Sequence, residues 1–216
     1  MPTPRLIENC PSVLFIVYTP GAGAEERGYE PWLISIDNPF FNAIPGVHHY
    51  ANWKIERELR GGPLAYTHFD FQGLVAEEDL ERVWFNPDLD AFRTEWIRLW
   101  GYARPTPTPV QANAYLMRPV APPAGTPTDW ALVTAGRGTA PAGQDVTWRV
   151  DETIRKHFAT GKTDNWRVPA ATENLLGFDW VAVRYGADLE TLAAGYAEGP
   201  ESVAFIARLI VAPPPA

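Results

Sequence analysis

The segment VHHYANWKIERELRGGPLAYTHFDFQ, Val47 to Gln72, decides the fold of this chain. Its first part, Val47 to Arg57, and its last part, Leu64 to Gln72, are rich in aromatic and β-branched residues, which is typical of β-strands. The sequence Arg60-Gly61-Gly62-Pro63 lies between them. A Gly-Gly pair between two such runs predicts a β-hairpin.

The segments on both sides of this hairpin complete a β-α-β-β-α-β order. Upstream, the apolar run from Ser12 to Thr19 predicts a buried strand, and apolar residues three and four positions apart predict a helix from Gly28 to Ile44, interrupted near Pro39. Downstream, helical spacing returns between Glu77 and Trp100, and the run from Asn113 to Arg118 predicts the last strand.

The second half of the chain predicts the same order with shorter elements. Its strands are expected at Trp130–Gly136, Asn165–Thr172, Phe178–Tyr185 and Ala207–Ala212. Its helices are expected at Asp151–Phe158 and at the beginning of the segment Asp188–Phe205. Clusters of proline between residues 105 and 127 separate the two halves. We therefore divide the chain into a first half, residues 1–118, and a second half, residues 119–216.

A β-α-β-β-α-β order is that of the ferredoxin-like fold, in which both helices cover one face of an antiparallel sheet. The other face must also be covered if it is apolar, and a second copy of the same sheet is the simplest cover. The predicted fold class is α+β, with two tandem ferredoxin-like βαββαβ repeats that form an intramolecular dimeric α+β barrel.

Several short motifs in the first half carry a resemblance to a known family. They are Tyr29-Glu30-Pro31-Trp32-Leu33, Asp37-Asn38-Pro39, Ile44-Pro45-Gly46-Val47 and Tyr50. In these motifs the chain resembles the dimeric α+β barrel superfamily, particularly the ethyl tert-butyl ether degradation protein-like group. The resemblance covers residues 12–118 by motif and the second half only by element order. Family members often carry a histidine where this chain has Asp37, so no role of that histidine is transferred.

The resemblance implies two sheets packed face to face around a lumen that binds small, often aromatic or polyketide-like molecules. The superfamily includes cofactor-free monooxygenases, isomerases, cyclases and lyases, together with haem-binding branches and proteins without known activity. A single chain that supplies both sheets is expected to be a monomer with a pseudo-dimeric barrel, or a homodimer.

The composition excludes several classes of partner. The formal net charge is −8 and the chain has no basic block, which argues against nucleic acid and anionic membrane surfaces. No apolar run is long enough for a membrane-spanning helix, and the amino terminus lacks an apolar signal core. The single cysteine, Cys10, excludes a disulfide framework. We expect a cytoplasmic protein without a cofactor.

The candidate catalytic residues lie on the first-half hairpin. Strand alternation places Tyr66, His68 and Asp70 on one face, where Asp70 could orient His68 as a general base. His48 and His49 must point to opposite faces. The second half has no comparable polar trio, which predicts that the active site lies in the first half.

The pairing of the two hairpin strands decides which further residues join the face of His68. A two-residue Gly61-Gly62 loop would bring His49 and Trp53 to that face, whereas a shift by one residue would bring His48, Tyr50 and Asn52 instead. Trp53 and Trp32 are also candidates for a ligand-binding wall. Asp37 is either a break inside the helix, which we favour, or a replaced catalytic group. A metal site formed by His48 or His49 with His68 and Asp70 is an alternative to the acid–base site.

Two classes of function are compatible with these residues. The first is a cofactor-independent lyase, isomerase or cyclase acting on a small hydrophobic, aromatic or polyketide-like compound, with His68 as the base and Tyr50 or Tyr66 binding the oxyanion. The same deprotonation could serve a cofactor-free monooxygenase acting on a phenol. The second class is a non-catalytic barrel that binds a small molecule, and a haem-binding barrel is a third possibility.

Overall fold

The computed structural model describes residues 5–61, 66–86, 89–101, 110–157, 165–170 and 177–214. Nine strands are present in this part of the chain, and they run as follows: β1 Val13–Tyr18, β2 Val47–Arg60, β3 His68–Leu74, β4 Val110–Pro119, β5 Trp130–Gly136, β6 Val146–His157, β7 Asn165–Pro169, β8 Trp180–Gly186 and β9 Glu201–Val211.

The helices are short and most of them belong to the first half of the chain. A continuous helical segment comprises α1 (Tyr29–Trp32), a π-helical turn (Leu33–Asp37) and α2 (Asn38–Asn42). The remaining α-helices are α3 (Asp79–Trp84), α4 (Asp90–Trp100) and α5 (Leu189–Ala194). No helix in the described ranges has the length and apolarity needed to cross a membrane.

Eight of the strands form a closed antiparallel barrel. Their order around the barrel is β4-β1-β3-β2-β9-β5-β8-β6, and pairing of β4 with β6 closes the circle. Strand β7 pairs with β6 outside this circle. The chain therefore has an α+β fold built on a barrel, and closure leaves these eight strands without a free edge along most of their length.

Side chains alternate between the interior of the barrel and its outer face. The interior is filled by apolar residues from all eight barrel strands, among them Phe15, Phe69, Tyr115, Trp148 and Phe205. Helices α1 to α4 and the π-helical turn cover the outer face of β1, β3 and β4, and α5 covers Leu132 and Ile206 on the opposite side. In the first half, the helices thus form a second layer outside the barrel, and polar groups can be buried between the two layers.

The hairpin pairing differs from the pairing expected for a two-residue loop. Lys54 lies opposite His68 and Asn52 lies opposite Asp70, which is the alternative shifted by one residue. Strand β2 continues to Arg60 and β3 begins at His68, so the connection is longer than Gly61-Gly62 alone. Of the two pairings left open by the sequence, the one that places His49 and Trp53 on the face of His68 is therefore wrong.

The element order predicted for the second half is also wrong in part. Residues 151–157, predicted as helix, belong to strand β6, in which Val146, Trp148 and Val150 alternate into the barrel interior. Residues 137–145 connect β5 to β6 without a helix. Helix α5 begins after the Asp188 cap, as expected, but ends at Ala194, and β9 already starts at Glu201. Pairing with neighbouring strands overrides the weak helical pattern of these segments.

The strands predicted in the first half are confirmed, except that β3 begins at His68; residues 66–67 are not in a strand, and residues 64–65 of the predicted range 64–72 lie outside the described residues. The helices of the first half are also confirmed. The described part of the 77–100 segment contains α3 and α4. The irregularity expected near Pro39 is the π-helical turn that ends at Asp37, two positions earlier.

Candidate functional site

A cluster of buried polar side chains lies between the barrel and the helical segment of residues 29–42. Strands β1, β2 and β3 contribute Tyr18, Tyr50, Asn52 and Asp70, all on the outer face of the barrel, and the π-helical turn contributes Asp37. Asp37 is only 3% exposed and Asp70 5% exposed. Two carboxyl groups are thus buried between the helical segment and the barrel.

The π-helical turn and α2 are fixed to strand β2 by two asparagines. Asn38 and Asn42 each donate a hydrogen bond of 2.9 Å from Nδ2 to the backbone oxygen of Tyr50, and the Tyr50 amide donates to Asn42 Oδ1 at 3.0 Å. These bonds hold Asp37 over the middle of β2. π-Helical turns are rare and occur frequently at functional sites.

The Tyr50 hydroxyl lies between the two carboxyl groups. Its oxygen is 2.8 Å from Asp37 Oδ2 and 2.9 Å from Asp70 Oδ2. Asn52 Nδ2 also reaches both, at 3.0 Å from Asp37 Oδ2 and 2.9 Å from Asp70 Oδ1. The Tyr18 hydroxyl donates to Asp70 Oδ1 at 3.1 Å. We call Asp37, Asp70, Tyr50, Asn52 and Tyr18 the carboxyl cluster.

The geometry of the carboxyl cluster requires a proton on one of the two carboxyl groups. The Tyr50 hydroxyl has one hydrogen and can donate it to only one carboxylate. For the second short contact to be a hydrogen bond, the other carboxyl group must carry a proton and donate it to the Tyr50 oxygen. Burial and the nearby carboxyl groups raise the pKa of Tyr50 well above 10, so the hydroxyl itself stays protonated.

The electrostatic environment favours the same state. Burial raises the pKa of Asp37 to about 7, although hydrogen bonds from Tyr50 and Asn52 oppose the shift. Burial also raises the pKa of Asp70 well above its usual value of 3.8, and the neighbouring charge of Asp37 adds to the increase. Two carboxyl groups this close cannot both ionise at low cost. At neutral pH we assign one proton to the pair, predominantly on Asp70.

His68 lies at the edge of the carboxyl cluster, and Asp70 does not orient it as expected. Its Nδ1 is 2.9 Å from Thr67 Oγ1, and its Nε2 is 3.3 Å from Glu25 Oε1. Asp70 Oδ1 instead accepts hydrogen bonds from Tyr18 and Asn52, and Asp70 Oδ2 is in hydrogen-bond contact with the Tyr50 hydroxyl. The Tyr18 ring stacks on the His68 imidazole, with 5.8 Å between ring centroids, while its hydroxyl reaches Asp70. The acidic residue next to His68 is therefore Glu25.

His68 is a neutral residue at physiological pH. Burial lowers its pKa to about 4, and the charge of Lys54 acts in the same direction. Lys54 Nζ is 3.3 Å from Glu25 and 3.0 Å from Glu30, and Arg208 of β9 is 2.9 Å from Glu30. These alternating charges form the rim of the carboxyl cluster on the side of His68.

Aromatic side chains of α1 and α4 form the wall next to this rim. The Trp32 ring contacts Phe92 and Trp100, with centroid distances of 5.8 and 5.7 Å. Trp96 contacts both Tyr18 and Tyr29, at 5.7 and 6.2 Å. Trp32, predicted as a ligand-binding residue, therefore belongs to the helical layer outside the barrel.

The other predicted site residues lie elsewhere. His49 and Trp53 face the barrel interior, where Trp53 stacks on Phe69 at 5.9 Å. His48 lies in a bulge of β2 and is partly exposed. Tyr66 packs against the interior apolar residues, so the expectation that it shares the face of His68 and Asp70 is wrong.

The alternative metal site is not formed by these residues. His49 faces the interior, whereas His68 and Asp70 lie on the outer face, so the barrel wall separates them. Within the described ranges, no three His, Cys, Asp or Glu side chains are grouped so that they could hold a metal ion.

Several members of the site were not predicted from the sequence, namely Tyr18, Glu25, Asn38 and Asn42. For Asp37, a replaced catalytic group was one of two interpretations, but the helix break was favoured. A signal was nevertheless present. Asp37, Asn38 and Asn42 are polar residues next to Phe40 and Phe41, and Asn38 and Asn42 are four positions apart on one helix face. Polar residues on the buried face of a helix indicate a buried partner.

No protein-family model matches this chain. No curated protein matches it either. Among solved structures, the chain is similar to a "putative monooxygenase" from Lactobacillus acidophilus NCFM, with 7% sequence identity and a TM-score of 0.45 over 94% of this chain and 96% of that chain. A TM-score below 0.5 assigns neither a family nor an activity to the chain.

Proposed function

We propose that the chain is a cofactor-independent enzyme in which Asp37 and Asp70 transfer protons to and from a small, apolar, ring-bearing substrate. The observation that carries this proposal is the Tyr50 hydroxyl between two buried carboxyl groups, at 2.8 and 2.9 Å. A pair that holds one proton at neutral pH supplies a base and an acid at the same place. Pairs of carboxyl groups whose pKa values are pushed apart commonly serve acid–base catalysis.

The chemistry follows from which member of the pair is ionised. Asp37, the more acidic residue, would remove a proton from the carbon next to a substrate carbonyl group. Protonated Asp70 would donate its proton to the carbonyl oxygen, which gives the neutral enol and reverses the charge states of the two residues. Return of a proton to a different carbon isomerises the substrate. Loss of a leaving group from the enol gives the lyase reaction. Attack of the enol on a second carbonyl group of the substrate gives the cyclase reaction.

The surroundings of the pair support an apolar substrate with a ring. Trp32, Tyr29 and Trp96 lie beside the carboxyl cluster and offer flat apolar surfaces. We propose that the substrate enters past Glu25, whose side chain is 40% exposed and lies next to His68. Neutral His68 would then contact the substrate as a hydrogen-bonding residue rather than act as the base.

We further propose that residues 1–118 and 119–216 are two ferredoxin-like halves of one barrel, as in the ethyl tert-butyl ether degradation protein-like group. In support, the orders β4-β1-β3-β2 and β9-β5-β8-β6 are equivalent when β7 is treated as an added strand. The carboxyl cluster draws its residues from the first half. A barrel closed by one chain does not need a second copy for closure.

The experiment is hydrogen–deuterium exchange into candidate substrates in D2O, followed by NMR. A panel of cyclic ketones, aromatic ketones and phenols would be incubated with the protein at pH 7. We expect exchange at the carbon next to a carbonyl group or ortho to a phenol. Asp37→Asn and Asp70→Asn should each slow this exchange at least about 100-fold, the lower end of the usual contribution of general acid–base catalysis.

The matched control is Asp129→Asn, which makes the same change at an exposed carboxyl group outside the cluster. Exchange that persists in both cluster variants, while their thermal transitions stay intact, would contradict the proposal. Consumption of dioxygen with formation of a hydroxylated product would instead establish the monooxygenase route. Recovery of a bound compound without exchange or conversion would identify a binding protein.

A further inference from the structure

A row of three nitrogen-bearing side chains crosses the outer face of the barrel at the rim of the carboxyl cluster. His68 of β3 lies opposite Lys54 of β2, and Lys54 lies opposite Arg208 of β9. Strand pairing fixes the spacing of these side chains, and two like charges directly opposite each other are unfavourable. Lys54 and Arg208 therefore need carboxylate groups close to them.

Two glutamates near the start of the helical segment supply these carboxylates, and they are held unequally. Glu30 Oε1 is 3.0 Å from Lys54 Nζ and 2.9 Å from a guanidinium nitrogen of Arg208, so it lies between two cations. Glu25 Oε1 is 3.3 Å from Lys54 Nζ and 3.3 Å from His68 Nε2. The Glu25 side chain is 40% exposed, whereas that of Glu30 is 23% exposed. Glu25 is thus the more weakly held carboxylate.

The position of Glu25 Oε1 suits a carboxylate oxygen, although Glu25 itself fills it imperfectly. Burial lowers the pKa of His68 to about 4, so the ring has one N–H group at pH 7. A carboxylate only accepts, which favours the hydrogen on Nε2, with the Thr67 hydroxyl donating to Nδ1 at 2.9 Å. Nε2 is buried and makes no well-aligned hydrogen bond with any described residue, in spite of its distance to Glu25. A ligand that replaces the Glu25 side chain reaches the same nitrogen.

Displacement of Glu25 requires only rotation of its side chain. The backbone around it forms a turn, in which the Gly28 amide donates to the Glu25 oxygen at 3.0 Å and the Tyr29 amide to the Ala24 oxygen at 3.1 Å. Ala24 is buried and anchors this turn. A ligand carboxylate in place of Glu25 leaves the charge next to Lys54 unchanged.

We propose that Lys54 Nζ and His68 Nε2 form a carboxylate-binding subsite, which Glu25 occupies in the free protein and from which the carboxylate of an organic acid displaces it. A ligand oxygen accepts a hydrogen bond from each nitrogen. Asn52 and Asp70 lie two positions away on the same two strands and the same face, a distance of about 7 Å along the strands. The subsite therefore adds a carboxylate group to the substrate of the acid–base reaction. This last step rests on the proposed function, whereas the subsite itself does not.

The test is an NMR titration of the full chain at pH 7 with cyclohexanecarboxylate, and with cyclohexanecarboxamide as the uncharged probe of similar shape. We expect saturable binding of cyclohexanecarboxylate, together with a change in the ¹⁵N resonance of His68 Nε2. The carboxamide should bind at least about 10-fold more weakly, because hydrogen bonds to a charged group are stronger than those to a neutral one.

Three variants test the role of Glu25. Glu25→Ala removes the internal competitor and should tighten binding of cyclohexanecarboxylate about 3- to 10-fold. Glu26→Ala is the matched control, since it removes the same charge from the next residue, which is also exposed, and should change the affinity less than about 2-fold. Lys54→Met, introduced into the Glu25→Ala chain, keeps an apolar side chain of similar length and should weaken binding at least about 10-fold. Thermal unfolding shows whether each variant is folded.

Several results would overturn the proposal. They are absence of saturable binding to Glu25→Ala, an equal gain in affinity in Glu26→Ala, equal binding of the carboxamide, and binding that Lys54→Met leaves unchanged. Asp37→Asn should bind cyclohexanecarboxylate normally, which separates the subsite from proton transfer. Binding that depends on Glu25 and Lys54 as expected, in a chain that catalyses no hydrogen–deuterium exchange, would support the subsite and contradict the proposed reaction. Exchange without such binding would do the opposite.

Discussion

At the scale of single residues, the position of one hydroxyl group determines the charge of two carboxyl groups. Tyr50 contacts Asp37 and Asp70 at nearly equal distances and has one hydrogen to donate. The network around them, with Asn52 and Tyr18 as further donors, satisfies a singly protonated pair better than two carboxylates. The residues that bury the two carboxyl groups therefore also favour the singly protonated state, which acid–base chemistry needs.

A raised pKa in the folded protein predicts how stability depends on pH. The pKa of Asp37 is about 7 in the folded chain, against 3.8 for an unperturbed carboxyl group, so the folded state binds more protons between these values. The contribution of Asp37 is therefore fully present below about pH 4 and is lost as the pH rises through about 7.

We expect the difference in free energy of unfolding between the wild type and Asp37→Asn to decrease as the pH rises from 5 to 7. One proton corresponds to at most about 1.4 kcal/mol per pH unit. Urea denaturation at several pH values measures this difference, and Asp129→Asn, the same change at an exposed position, serves as the control. A difference that stays constant from pH 5 to pH 7 would show that Asp37 is already ionised at pH 5.

At the scale of elements, the helical segment of residues 29–42 is the part that positions the site. Its π-helical turn directs Asp37 toward β2, and Asn38 and Asn42 bind the backbone of Tyr50. These asparagines bond to a strand residue whose backbone groups would otherwise lack partners under the helix. They therefore connect the stability of the helix to the geometry of the carboxyl cluster.

Asn42→Ala should reduce the free energy of unfolding by about 2–4 kcal/mol, because it removes several hydrogen bonds and leaves the buried amide of Tyr50 without its side-chain acceptor, while Asn38 still donates to the Tyr50 oxygen. Asn9→Ala is the matched control, since Asn9 is exposed and should change stability by less than about 0.5 kcal/mol. Chemical denaturation measures both. Equal stability of the two variants would mean that α2 is not held by Asn42.

The sequence predicted secondary structure well where apolar residues recur with a clear period. It predicted poorly where the pairing between strands determines the structure. The hairpin, β1, and the helices of residues 28–44 and 77–100 have clear patterns, and these elements were predicted correctly. The register between β2 and β3 depends on the length of the connection after Arg60. The alternation of side chains along a strand does not determine this register. Residues 151–157 show how pairing with β4 and β7 makes a strand from a segment that locally favours a helix.

The same limit applies to the candidate site. Alternation correctly placed Asp70 and His68 on one face, and the shifted pairing included Tyr50 and Asn52. Asp37 could not be assigned to the cluster, because it is far from the hairpin in sequence and reaches it only through a π-helical turn. Hydrogen bonds between the helix and the strands depend on how these elements pack together, and the sequence of either segment alone does not predict them.

At the scale of the whole molecule, both halves of the chain share one interior. The apolar residues inside the barrel include Phe15 and Phe71 from the first half and Trp148 and Phe205 from the second. The halves are joined along two seams, where β2 pairs with β9 and β4 pairs with β6. Opening either seam would expose the interior to water.

We therefore expect one cooperative unfolding transition for the whole chain. Tryptophan fluorescence and far-UV circular dichroism should give coincident urea curves. Phe205→Ala, which creates a cavity in the shared interior, should lower the midpoint of both curves together by an amount equivalent to about 3–5 kcal/mol. Two separated transitions would show that the halves fold as independent units.

The central claim is that Asp37 and Asp70 share one proton at neutral pH. The most direct measurement is a pH titration of the aspartate carboxyl carbons by ¹³C NMR, with Asp37→Asn and Asp70→Asn used to assign the two signals. We predict that one carboxyl group titrates near pH 7 and that the other is still protonated there. Ionisation of both groups below about pH 5 would contradict the account.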